Sequence, residues 1–210
     1  MPETFNIPLD AQQISDTLAK VHGADSVPTV GSENMVESGG LSSYLESFRA
    51  GTGWGTWDDL SHTVSTPLVA TGRTRITIDG AGSTTYTAQN PQGADPLWDT
   101  VNDLIMPENN GDGMVLRIDF KCTANSQNSY MDLELDISAS KDGSIKVLLD
   151  TIPFLKSSGT EMRFTRTYFI YSRSTFAANG GALFMDPSDS GATVTAYDFD
   201  VQIGRFHKAT

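Results

Sequence analysis

Downstream of residue 63 the apolar positions recur at every second residue. In MVLRIDF, Met114, Leu116, Ile118 and Phe120 alternate with Val115, Arg117 and Asp119. In YMDLELDIS, Met131, Leu133, Leu135 and Ile137 alternate with Asp132, Glu134 and Asp136. Tyr197, Phe199, Val201 and Ile203 repeat the pattern in VTAYDFDVQI, and TRITID, SIKVLL and MRFTRTYFI share the period. Successive side chains of a strand point to opposite faces, so each segment predicts a strand with one dry and one wet face. One-sided burial belongs to antiparallel sheets rather than to a buried parallel sheet. Turn residues separate the segments at Asp79-Gly80, NNGDG (109–113), Asp142-Gly143, Ser158-Gly159 and Asn179-Gly180. Asp95, Pro96 and the stripe Leu97, Val101, Leu104, Ile105 predict one short helix, stopped by Pro107. About eight strands with one helical insertion predict a mainly β protein whose residues 63–210 form an antiparallel jelly-roll-like β-sandwich.

The first 50 residues follow other periods. Phe5, Ile7 and Leu9 alternate between Pro2 and Pro8, which predicts an extended arm. Asp10 is a good cap for a helix over 10–21, in which Ala11, Ile14, Leu18 and Val21 form a seam of spacing 3, 4, 3. A helix of that length is not stable alone, so the seam must meet a copy of itself or a neighbouring element. Ser38 can cap a second helix, with Leu41, Tyr44, Leu45 and Phe48 on one stripe. Gly51, Gly53 and Gly55 then interrupt the pattern around Trp54 and Trp57. Residues 51–62 therefore read as a junction between an attachment part (1–50) and the β domain.

Composition narrows the possibilities. The formal net charge is −12 and the sequence pI about 4.4. Binding to nucleic acid phosphates needs clustered cations, so nucleic acid is not expected as a partner. Copies of the chain repel unless specific contacts overcome the charge. Cys122 is the sole cysteine, which excludes an intrachain disulfide and reads as a small buried filler. The start MPETFNIPLD lacks the basic and apolar regions of a signal peptide, and no apolar run approaches the ~20 residues of a membrane span, so synthesis in the cytoplasm without membrane insertion is expected.

Candidate chemistry is sparse. His22, His62 and His207 do not stand at metal-ligand spacing, and no nucleophile elbow or phosphate-binding loop occurs. Asp132, Glu134 and Asp136 lie two residues apart on one strand face, as half of a glycosidase or calcium site could; a solvated strand face is the reading preferred. Arg205, His207 and Lys208, with Arg163, Arg166 and Arg173, read equally as pairing across subunits or as ordinary surface charge. No catalytic residue, metal ligand or cofactor is assigned, and the chain is expected not to be an enzyme.

The segment VPTVGSENMVESGGLSSYLES contains Pro28, Thr29, Ser32, Asn34, Met35-Val36, Ser38-Gly39-Gly40 and Leu41. In that order they resemble a short attachment segment of tail-fibre and head-fibre proteins of tailed bacteriophages, and IPLDAQQISDTLAKVHGAD before it is similar to the N-terminal part of the same family. Glu37 departs from the small polar residue more usual there. The resemblance covers about 40 residues and implies a homotrimeric virion-surface protein. Trimer and attachment contacts would then fall on Phe5, Ile7, Leu9, Ile14, Leu18, Val21, Met35, Val36, Leu41, Tyr44, Leu45 and Phe48. It further implies an arm docked on a phage capsid or tail protein and a sandwich displayed outward, with a host surface glycan as a further partner. A head fibre or capsid decoration protein is the first reading. A receptor-binding tail fibre or tip is the second, and a polysaccharide-degrading tip the third.

Overall fold

The computed structural model describes residues 51–91, 96–127, 129–155, 157–187 and 191–209. Among them the chain forms β1 (Gly53–Asp58), β2 (Leu68–Ala70), β3 (Thr74–Arg75), β4 (Trp98–Asp99), β5 (Leu104–Ile105), β6 (Gly113–Ala124), β7 (Ser129–Asp136), β8 (Lys146–Phe154), β9 (Met162–Tyr171), a helix α1 (Ser174–Asn179), β10 (Ala182–Pro187) and β11 (Val194–His207). One sheet runs β1-β11-β6-β9, with β2 also on β11, and the second runs β3-β10-β7-β8. Every pairing is antiparallel. The chain changes sheet between β2 and β3, β3 and β6, β6 and β7, β8 and β9, β9 and β10, and β10 and β11. That double Greek-key order is a jelly roll, so the expected mainly β, antiparallel class is the one observed.

Alternation fills the space between the sheets. Met114, Leu116, Ile118 and Phe120 of β6 face Met131, Leu133 and Leu135 of β7, all fully buried. The Phe120 ring stacks between Phe164 and Phe199, at centroid distances of 5.4 and 5.5 Å. Each such buried ring contributes roughly 2–3 kcal/mol. In β11 the phase changes midway. Val194 and Ala196 point inward at even positions, and Phe199, Val201 and Ile203 at odd ones. A bulge between Tyr197 and Asp200, with Asp198 at φ 54°, absorbs the extra residue.

Several expectations are corrected. Residues 97–105 form the β4–β5 hairpin, not a helix. The Asp99 carboxylate accepts the amides of Val101 and Asn102, closing a turn, and buried Trp98 donates its Nε1 proton to the Ile78 carbonyl. Val101, assigned to the apolar stripe, is exposed. TRITID pairs as a strand only at Thr74–Arg75; the Ile78 amide turns to the Asp103 carboxylate instead of a ladder. Part of the expected junction is β1, paired along its whole length with the C-terminal β11. Glycine is required there at Gly53, where a Cβ would stand 2.3 Å from the Gln89 carbonyl oxygen. Helix α1 was not expected. It has one buried residue, Phe176, hence no stripe, and the predicted Asn179-Gly180 turn is its end, with Gly180 at φ 66°.

Candidate functional site

The twelve attachment residues from Phe5 to Phe48 lie outside the described residues. The acidic strip does not. Asp132, Glu134 and Asp136 do not form a solvated face: Glu134 and Asp136 are buried. Arg73 lies over the Phe184 ring and donates from Nε to Glu134 (3.0 Å) and from Nη2 to Asp136 (2.7 Å). Lys146 pairs with the other Glu134 oxygen. Asp136 also accepts from the amides of Ser138 (2.9 Å) and Gly143 (2.7 Å), and Asp132 from the Thr151 hydroxyl (2.7 Å). Burial alone would raise the Asp136 pKa, but the hydrogen bonds from Ser138, Arg73 and Gly143 outweigh it and hold it below the ordinary value. Glu134 and Asp136 tie β7 to Arg73, to Lys146 of β8 and to the 137–145 loop, so their oxygens already have partners within the fold.

The basic tail is corrected as well. Arg205 occupies the inward position that follows Ile203 on β11 and is buried. Its Nε donates to the Gly51 carbonyl (2.8 Å) and its Nη1 to Glu108 (2.7 Å), with Asp112 at 3.5 Å. Lys208 pairs with Glu108 at 2.8 Å. Asp112 of NNGDG accepts the amides of Glu108, Asn109 and Ala209. Arg205 and Lys208 thus close the chain end on its own loop, and neither pairing across subunits nor plain surface charge describes them. His62 sits 2.7 Å from Asp59, which also receives the amides of Ser61, His62 and Asp79.

The outer face of the β1-β11-β6-β9 sheet carries a different arrangement. Its side chains lie in cross-strand rows. The first is Trp54, Gly204, Val115 and Phe169; the second Thr56, Gln202, Arg117 and Thr167; the third Asp58, Asp200, Asp119 and Thr165. At the first row Phe206 meets Phe169 and Tyr171 edge to face, each at 6.1 Å, and Trp54 meets Tyr86 at 5.6 Å. The third row sets three aspartates side by side. Burial, then the neighbouring Asp119 and Asp58, push Asp200 up to about 6, against the opposing pull of Arg117. Beyond that row a polar cleft of about 320 Å³ is lined by Arg117, Asp119, Lys121, Arg163, Thr165 and Asp198. Around the β8–β9 edge, at the aromatic end, an apolar cleft of about 310 Å³ opens between the sheets, bordered by Val147, Leu149, Phe169, Tyr171, Arg173 and Phe176. One face thus passes from an aromatic row, through a row of Thr56, Gln202, Arg117 and Thr167, to a row of aspartates.

The period-two reading did not single out this aromatic end, because it assigned the outward positions to water. A signal was available. MRFTRTYFIY has aromatics at both parities: Phe164 and Tyr168 on one, Phe169 and Tyr171 on the other. A strand wet on one side does not need both.

No family model and no curated protein matches the chain. Solved structures similar to it include Eiger TNF from S. frugiperda, at 10% identity over 76% of this chain and 95% of that one, with a TM-score of 0.39. PRD1 vertex protein P5 aligns at 12% identity over 76% and 73% of the two chains, with a TM-score of 0.37. The globular domain of zebrafish complement 1qA aligns at 11% identity over 74% and 96%, with a TM-score of 0.35. The jelly roll rests on the strand order itself, not on these likenesses.

Proposed function

We propose that this protein is a homotrimeric structural component of a tailed-bacteriophage virion. In this reading it is a head fibre or capsid decoration protein, anchored by its N-terminal segment and displaying the jelly roll outward. The observation that carries the reading is the segment from Pro28 to Leu41, with its Ser-x-Asn and Ser-Gly-Gly elements in the order of the phage fibre segment. A jelly roll placed after it, with its conspicuous strand carboxylates tied into ion pairs, supports a displayed binding module over a hydrolase. Host-surface glycan adhesion is the role proposed for the displayed domain, with a capsid or tail protein holding the arm.

Labelled antibody on virions tests the location. Label on capsomers is expected; label confined to the tail moves the protein to a receptor-binding tail fibre, and no label on the particle overturns the virion reading. Light scattering of the full chain is expected to give a trimer mass that Leu41→Asp or Leu45→Asp lowers. A monomeric wild type defeats the trimer. Reducing ends released from host polysaccharide by the purified protein would replace the structural role by a depolymerase.

A further inference from the structure

We propose that the jelly roll itself carries a contact between copies of this chain, in which the β8–β9 edge of one copy seats on the aromatic end of the outer β1-β11-β6-β9 face of the next. The inference rests on the trimeric reading only for the number of copies; the contact is drawn from residues 53–206 alone.

The surface to be covered is large. Trp54, Tyr86, Phe169, Tyr171 and Phe206 are between 41% and 76% exposed. With roughly 200 Å² per ring, they present on the order of 500 Å² of aromatic surface, near the upper end of what a monomer leaves in water. At the edge, Ile145 just before β8 and Val147 and Leu148 within it are between 46% and 57% exposed and add roughly 200–300 Å². One face and one edge together, roughly 700–800 Å², approach the apolar share, a little over half, of a standard interface of about 1,600 Å².

The charge pattern selects a second copy as occupant. The chain has a net charge of −12, yet the first two rows of the face contain no carboxylate. The aspartate row begins about 14 Å further along the strands, four residues at 3.4 Å each. The edge shows the matching gradient. Val147 and Leu148 stand at its apolar end; at its other end Arg166, paired with Asp150 at 2.6 Å, and Arg163 stand beside Leu155. Rotation about an axis parallel to the strands keeps every copy at one level. Apolar edge then meets aromatic face, and the arginine end meets the row of Asp58, Asp119 and Asp200. A two-fold pairing of face with face would leave the edge uncovered. A face-to-edge contact covers both at every repeat, and with a three-fold rotation between copies such a heterologous contact closes into a ring.

Two measurements on the full chain test this. Phe169→Asp/Phe206→Asp replaces two exposed rings and leaves the core intact, so urea unfolding should retain its slope. The association midpoint should shift at least tenfold to higher concentration. Second, Leu148→Cys/Gln202→Cys places one thiol on the edge and one on the face, while native Cys122 is buried. A short bismaleimide is expected to link this variant into closed oligomers and to leave each single-cysteine variant unlinked. Dimers from either single variant overturn the edge-to-face contact. If wild type associates, Leu41→Asp abolishes it and the face variant does not, the inference falls while the trimer reading stands. If wild type is monomeric, both fall.

Discussion

Replacing Asp200 by Asn should stabilise the protein at neutral pH. Asp200 lies between Asp58 and Asp119 in register across three strands and is raised from 3.8 to about 6 by burial and by those two neighbours. A raised carboxyl binds its proton more tightly in the folded state. Its favourable contribution is therefore complete below pH 3.8 and disappears as pH rises through about 6. At ~1.4 kcal/mol per tenfold change, the whole displacement would amount to about 3 kcal/mol. Asp200 is only partly buried, and solvent screens the repulsion, which reduces the expected effect to about 1 kcal/mol. Urea unfolding at fixed protomer concentration, at pH 3.5 and pH 7.5, reads it directly in the Phe169→Asp/Phe206→Asp background, where no arginine of a second copy faces the row. In that background the proteins with and without Asp200→Asn should be nearly equal at the lower pH, and the one with it about 1 kcal/mol more stable at the higher. Added salt at pH 7.5 should narrow the gap, because the interaction is between partly exposed charges. Equal stability at both pH values, or a destabilised variant at pH 7.5, would refute the claim that the aspartate row is strained when ionised.

Arg73→Ala should cost about 3 kcal/mol, because Glu134 and Asp136 stay buried without the guanidinium between them. The depressed Asp136 makes its contribution above the ordinary 3.8 and loses it as pH falls through its lower folded value, so chemical denaturation should show the gap to wild type closing in acid. Cys122 is buried and its thiol is pushed up to about 12 by desolvation, so an aromatic disulfide reagent should label native protein only at the rate of opening and unfolded protein at once. Prompt labelling of the native state would place Cys122 outside the core.

Much of the sandwich was legible residue by residue. Met114 to Phe120 and Met131 to Leu135 had to line one face because a strand alternates, and that holds in any register that buries them. Segments 97–105 show the limit. Leu97, Val101, Leu104 and Ile105 fit a helical stripe, but a carboxylate at Asp99 bonding two residues ahead and a tryptophan held from Ile78 decide for a hairpin. Local spacing does not contain the partner that wins.

Period, turns and charge were enough to establish the class: short amphipathic strands, turns between them, an acidic chain without a metal or nucleophile pattern, and an N-terminal segment with a phage-fibre resemblance. What alternate positions face was settled by packing. Wet and dry are properties of what packs on a strand, not of its parity. Glu134 and Asp136 became buried ion pairs because Arg73, Lys146 and the 137–145 loop close over β7. Phe169, Tyr171 and Phe206 came together on an open face because β9, β6 and β11, far apart in the chain, are laid side by side by the jelly-roll crossings.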